Sequence, residues 1–199
     1  MRRALWLVLL ALILPIAAFG SSIDFTNSGG TLVGSNAGLS LTGSVLIAVK
    51  GLDGGGLITG DDLGTVDFTT GALISGSLRY GGMFAAGGSF TITGNGTNGI
   101  PDGIIFTGSF SEPVTWTLVT LPDGTHNYTL TGAISGTMSD GTAAQGVTVQ
   151  LTVNSGKNYF WTCQISSGDT NLVVPEPGTL GLLGTGLVGV AGLLRRRRG

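Results

Sequence analysis

Residues 21–174 predict an all-β fold, and three observations carry the prediction. Apolar and polar residues alternate with period two in several runs, glycine-rich turn dipeptides separate those runs, and no stretch sustains a helical period. Helix formers agree by their scarcity: Glu112 is the only glutamate between these positions, and Lys50 and Lys157 are the only lysines. The expected architecture is an antiparallel β-sandwich of roughly eight to ten strands, with one buried face and one Thr/Ser face.

Taken in chain order, residues 28–38 and 51–64 are glycine-rich and read as loops. Residues 70–77 (Thr-Gly-Ala-Leu-Ile-Ser-Gly-Ser) are echoed at 131–137 (Thr-Gly-Ala-Ile-Ser-Gly-Thr), which suggests equivalent strands in two sheets rather than a solenoid repeat. Val114, Trp116 and Leu118 point one way and Thr115 and Thr117 the other. Tyr128, Leu130 and Ile134 alternate with Thr129 and Thr131. These two runs form the clearest hairpin, 114–120 to 126–134, across Leu121-Pro122-Asp123-Gly124-Thr125. Val147, Val149, Leu151 and Val153 alternate with Thr148, Gln150 and Thr152. Asp53-Gly54, Asp102-Gly103, Asp123-Gly124 and Asp140-Gly141 are turn dipeptides, because glycine supplies the positive φ and aspartate caps the turn. The domain is expected to end at residue 167, with 168–174 as a linker.

The charge balance is unusual. Lys50, Arg79 and Lys157 stand against ten acids over residues 21–174, a net charge of −7, while the whole-chain value of −2 is diluted by six terminal arginines. So acidic a domain carries no electrostatic footprint for nucleic acid. Cys163 is the only cysteine, so no intramolecular disulfide forms. It alternates with Tyr159, Trp161 and Ile165, which predicts a buried, inert thiol.

Residues able to do chemistry are few. His126 is the only histidine and reads as a solvated turn residue. No Gly-x-Ser-x-Gly elbow places a nucleophile beside it, and one His with one Cys does not make a zinc site. Asp61, Asp62 and Asp67 near Gly54-Gly55-Gly56 could offer oxygens to calcium, but the spacing fits neither an EF-hand nor a Gly-Gly-x-Gly-x-Asp repeat, and a plain acidic loop is the stronger reading. Among ten carboxylates an acid pair of glycosidase type could arise, and its signature would be two carboxylates in one cleft. Asn95-Gly96-Thr97 and Asn127-Tyr128-Thr129 match the glycosylation sequon by chance. The expectation is a domain with no catalytic residues, no cofactor and no metal.

Both chain ends are transport signals. Arg2-Arg3, the apolar run 4–16 and Ala18-Phe19-Gly20 form a secretory signal peptide over residues 1–20, with cleavage expected between Gly20 and Ser21. At the other end, Pro175-Glu176-Pro177 is followed by a glycine-spaced apolar run over 178–194 and by Arg195-Arg196-Arg197-Arg198. Prolines bar a smooth helical entry, and the run of about 16 or 17 residues is at the short limit for a single transmembrane helix. The arginines form a stop-transfer cluster that stays cytoplasmic and leaves the preceding domain outside.

This tail resembles the PEP-CTERM sorting signal of exopolysaccharide-producing Gram-negative bacteria. The resemblance covers residues 175–199 and implies nothing about the domain ahead of them. It implies processing by an integral-membrane protease, exosortase, at a site recognised through Pro175, Glu176 and Pro177. It further implies membrane anchoring through the C-terminus, at least transiently, and then residence at the cell surface or outside the cell. The expected function is that of a non-catalytic surface or matrix protein associated with exopolysaccharide. A polysaccharide-acting hydrolase or a carbohydrate-binding module is the alternative.

Overall fold

A computed structural model describes residues 21–174, where the alternation seen in the sequence becomes thirteen antiparallel strands. In chain order they are β1 (Ser21–Ser35), β2 (Gly38–Lys50), β3 (Leu57–Thr59), β4 (Gly64–Thr69), β5 (Leu73–Ser77), β6 (Gly81–Phe84) and β7 (Gly87–Asn95). There follow β8 (Asp102–Phe110), β9 (Val114–Thr120), β10 (His126–Gly132), β11 (Ile134–Met138), β12 (Ala143–Asn154) and β13 (Thr162–Val174). Among the described residues, no helix is long and apolar enough to cross a membrane.

The strands do not stack as two sheets. Neighbours run β11-β8-β7-β4-β2-β1-β13-β12, and β12 pairs back onto β11, so eight strands close a barrel. The expected sandwich is corrected to this closed barrel with a four-stranded arm, β10-β9-β6-β5, growing from it. One strand serves both parts: Ala143–Gln145 of β12 pair with β11, and Val149–Asn154 pair with β10. The run expected as one strand over 126–134 breaks at Ala133, giving β10 to the arm and β11 to the closure. Its hairpin with 114–120 is present, with His126 opposite Thr120 and Leu130 opposite Trp116. The echoed segments fall on β5, at the arm's edge, and β11, at the barrel's closure, so they are not equivalent positions.

Closure depends on two facing glycines. Gly108 of β8 is the partner of Gly136 of β11, and the Phe106 ring lies across both. A Cβ built on Gly108 or Gly136 would lie 2.8 or 2.7 Å from Phe106 Cζ and would strike the opposite backbone. The interior is filled by aromatic packing: Phe68 stacks on Phe90 at 5.8 Å, and Phe110 meets both edge-on at 5.6 and 6.0 Å. An eight-stranded barrel is just wide enough to be filled in this way.

Two expected loops are strand instead. Residues 28–35 belong to β1, where Gly29 and Gly30 adopt φ of 67° and 76° and absorb bulges without ending the strand. Buried Asn27 pins this bulged region by donating to Ser44 Oγ at 2.6 Å. Residues 168–174, expected as a linker, are the last half of β13, paired with β1 on one side and β12 on the other. Residues 51–64 are mostly turn, with short β3 inside them.

Candidate functional site

The arm's inner face is built on aromatic residues of β9 and β10. Trp116 and Tyr128 sit opposite Leu130 and Leu118, and their rings stack at 4.9 Å with 13° between planes. Phe160, from the β12–β13 connection, packs on Trp116 at 5.0 Å. Gly34 lies beneath it, and a Cβ there would lie 2.7 Å from both Leu78 and Phe160 side chains.

Two connections are fastened to this stack by side-chain-to-backbone hydrogen bonds. Trp116 Nε1–H donates to the Leu78 carbonyl at 3.0 Å, and Tyr128 Oη–H donates to the Arg79 carbonyl at 2.8 Å. The same Tyr128 oxygen accepts from the Phe160 N–H at 3.1 Å. One phenol therefore clamps the β5–β6 turn to the β12–β13 connection. Burial raises its pKa above the ordinary tyrosine value, in keeping with its service as a neutral donor.

On the outside of the clamp lies an aromatic and cationic surface. The Arg79 guanidinium sits 4.1 Å from the Tyr159 ring centroid and 5.2 Å from that of Tyr80. Tyr80 meets Tyr159 edge-on at 5.3 Å. Tyr80 is 63% and Trp161 84% exposed, a wasteful disposition for large rings in a domain that otherwise buries them. Lys157 lies exposed on the same connection as Tyr159 and Trp161. All three tyrosines, the lone histidine and two of the three described cations are thus on or beside this end of the arm.

His126 corrects an expectation. Read as a solvated turn residue, it is buried at the start of β10, stacked on Tyr159 at 4.2 Å, with Nδ1 3.0 Å from Thr120 Oγ1. Cys163 is half-buried rather than buried, and Trp161, expected on its inward face, is exposed; burial still raises the Cys163 thiol pKa.

A second, polar feature lies on the barrel wall. Asp24 and Asp169 line one shallow concavity of about 250 Å³ with Phe25, Gln150, Thr170 and Asn171. Asn171 Nδ2 donates to Asp24 and to Ser22 Oγ, and Thr26 Oγ1 donates to Asp169 at 2.9 Å. Both carboxylates therefore act as acceptors from uncharged donors. Of the acidic residues considered for calcium, Asp62 accepts from the Gly64 N–H at 3.0 Å in its own turn, and Asp67 on β4 accepts from the Gly43 N–H of β2 at 2.6 Å. Among the described residues no three His, Cys, Asp or Glu side chains gather as a metal site.

Of the sorting and cleavage residues, Ser21 opens β1 and is the register partner of Val174, the last residue of β13. The residue after the expected signal-peptide cleavage and the residue before Pro175 are therefore neighbours. Gly20, Pro175, Glu176, Pro177, the apolar run 178–194 and Arg195 to Arg198 lie outside the described residues. Residues 173–198 match the PEP-CTERM protein-sorting motif. No curated protein and no solved structure matches the chain. The chain thus carries a PEP-CTERM sorting motif after the β-barrel and arm, and the match assigns no family to that domain.

Proposed function

We propose that this is an exported, non-catalytic cell-surface protein that exosortase releases from its membrane-held tail and that associates with exopolysaccharide. The sorting motif at 173–198 carries the reading, since it supports export and exosortase processing. Supporting it from the domain side is chemistry that suits contact rather than turnover. The outer strand positions offer Thr, Ser, Asn and Asp, and the sole histidine is committed beneath Tyr159.

A hydrolase is the second reading, favoured by one observation: Asp24 and Asp169 share a concavity. Against it, a general acid must hold a proton aimed at a leaving group, whereas both carboxylates here accept from neighbours.

The test is fractionation of producing cells. The full chain is expected in the surface or matrix fraction, bound to the cells' own polysaccharide. Replacing Pro175-Glu176-Pro177 with alanines should leave an unprocessed precursor in the membrane, and replacing Arg195–Arg198 with glutamine should impair retention and orientation. An unchanged distribution in both variants would refute the sorting reading. Reducing sugar released by the wild type, and abolished by Asp24→Asn or Asp169→Asn, would establish the hydrolase instead.

A further inference from the structure

We propose that the outer end of the arm is the surface that takes polysaccharide, and that the polysaccharide it takes is anionic. This rests on the reading that the protein associates with exopolysaccharide, and adds the place and the chemical class. Tyr80 and Trp161 supply exposed rings for the apolar faces of sugars, Tyr159, stacked on His126, carries the Arg79 guanidinium, and Arg79 and Lys157 pair with glycan carboxylates.

Four observations carry the proposal. First, exposed aliphatic residues such as Leu57 and Ile104 lie elsewhere, but the exposed aromatic rings, Tyr80 at 63% and Trp161 at 84%, are on two connections that the Tyr80–Tyr159 contact joins. Amphipathic rings kept at a surface mark a place where one face is to be covered and the polar tip left wet.

Second, the charge is local. The described domain carries −7, which repels an anionic polymer over most of its surface. Two of its three cations are nevertheless on the two connections that form this end, while Lys50 lies opposite Asp24 on the barrel wall. Ring faces alone would suit a neutral glucan. Concentrating cations at the rings selects a polymer with carboxylates.

Third, Arg79 is held ready. Contact with two tyrosine rings restrains the long side chain and leaves its planar edge for bidentate pairing with a carboxylate. Fourth, the scaffold is fixed. Tyr128 and Trp116 bind the backbone of Leu78 and Arg79 to the buried stack, so the surface is assembled before any ligand arrives.

The full chain in detergent micelles should bind polygalacturonate in affinity electrophoresis, with retardation that fades as salt is raised. Dextran, a neutral polymer, should retard it much less. Arg79→Gln and Lys157→Gln should each weaken binding about five-fold, the scale of an exposed cation–π or ion-pair contact. Trp161→Ala should weaken it comparably without lowering the unfolding midpoint, because its ring is solvent-exposed. Lys50→Gln should bind as the wild type does.

Equal binding of dextran and polygalacturonate, with Arg79→Gln silent, would overturn the anionic assignment and leave the polysaccharide reading standing. An equal loss in Lys50→Gln would overturn the location. If neither polymer binds, nor polysaccharide extracted from the producing cells, both this inference and the reading beneath it fall.

Discussion

Replacing Tyr128 with phenylalanine removes one oxygen atom and keeps the ring, which makes it a clean probe of the clamp between the two connections. The ring stack with Trp116 should survive, since phenylalanine fills the same space against Trp116 and Phe160. Two hydrogen bonds are lost together. The Phe160 N–H belongs to a residue only 5% exposed, and leaving such a donor unsatisfied costs about 1–3 kcal/mol. The Arg79 carbonyl belongs to an exposed residue and can turn to water, so its loss adds about 0.5–1 kcal/mol. Tyr128→Phe should therefore destabilise the domain by about 1.5–4 kcal/mol, lowering the thermal midpoint by about 3–16 °C for a domain of this size.

Urea and thermal unfolding of the full chain, followed by tryptophan fluorescence, measure this directly. The pH axis supplies a second check. Burial raises the phenol's pKa in the folded state, so its contribution is complete below the ordinary tyrosine value near 10 and is lost as pH rises through the raised value. The alkaline fall in stability should be shallower in Tyr128→Phe than in a Tyr80→Phe control. A destabilisation below about 0.5 kcal/mol, within the range of an ordinary surface change, would refute the clamp.

Three further outcomes are expected. Gly136→Ala should cost about 3 kcal/mol or more by forcing β11 from β8 and displacing Phe106, and hydrogen exchange should show the loss concentrated at those strands; uniform protection would refute the closure argument. Asp123 and Asp140 should titrate below the ordinary aspartate value of 3.8, chiefly because the backbone N–H groups of Thr125 and Thr142 hold the ionised forms. Their turns' contribution is thus complete above that value and fades as pH falls through the lowered ones; carboxyl NMR titrations at or above it would count against this. Cys163 should react with iodoacetamide more slowly than free cysteine at pH 8, because burial raises its thiol pKa; an equal rate would contradict that.

The strands themselves were legible because alternation is a local signal. Val114 and Trp116 are buried between exposed Thr115 and Thr117, and Tyr128 and Leu130 are buried with them, as the sequence pattern predicts. What alternation lacks is any record of which strand pairs with which. The difference between sandwich and barrel rests on β11 meeting both β8 and β12, and the local trace of that meeting is two glycines with nothing to alternate against. Glycine also misled at residues 28–35, since Gly29 and Gly30 mark a bulge inside β1 as readily as they mark a loop.

The arm's outer surface was hidden for another reason. His126 is covered by Tyr159 and Arg79 lies against Tyr159, contacts across 33 and 80 residues that no short window joins. A faint signal did exist: Arg79-Tyr80 and Lys157-Asn158-Tyr159 each set a scarce cation within two residues of a scarce tyrosine.

The pairing of Ser21 with Val174 bears on when the sorting machinery can act. The first strand to leave the ribosome pairs with β2 on one side but finds its other neighbour only in the last strand, and the very next residue is Pro175 of the sorting motif. Sealing the cylinder must therefore await arrival of its final staves on the far side of the bilayer, a non-local step of the kind that slows folding. Because Pro175 follows Val174 directly in the sequence, a protease cutting near the motif after folding would work within a few residues of the last strand of a finished cylinder. Otherwise it cuts before the seam is sealed. Inserting a flexible spacer after Val174 should then speed processing if folding comes first and leave it unchanged if cutting does.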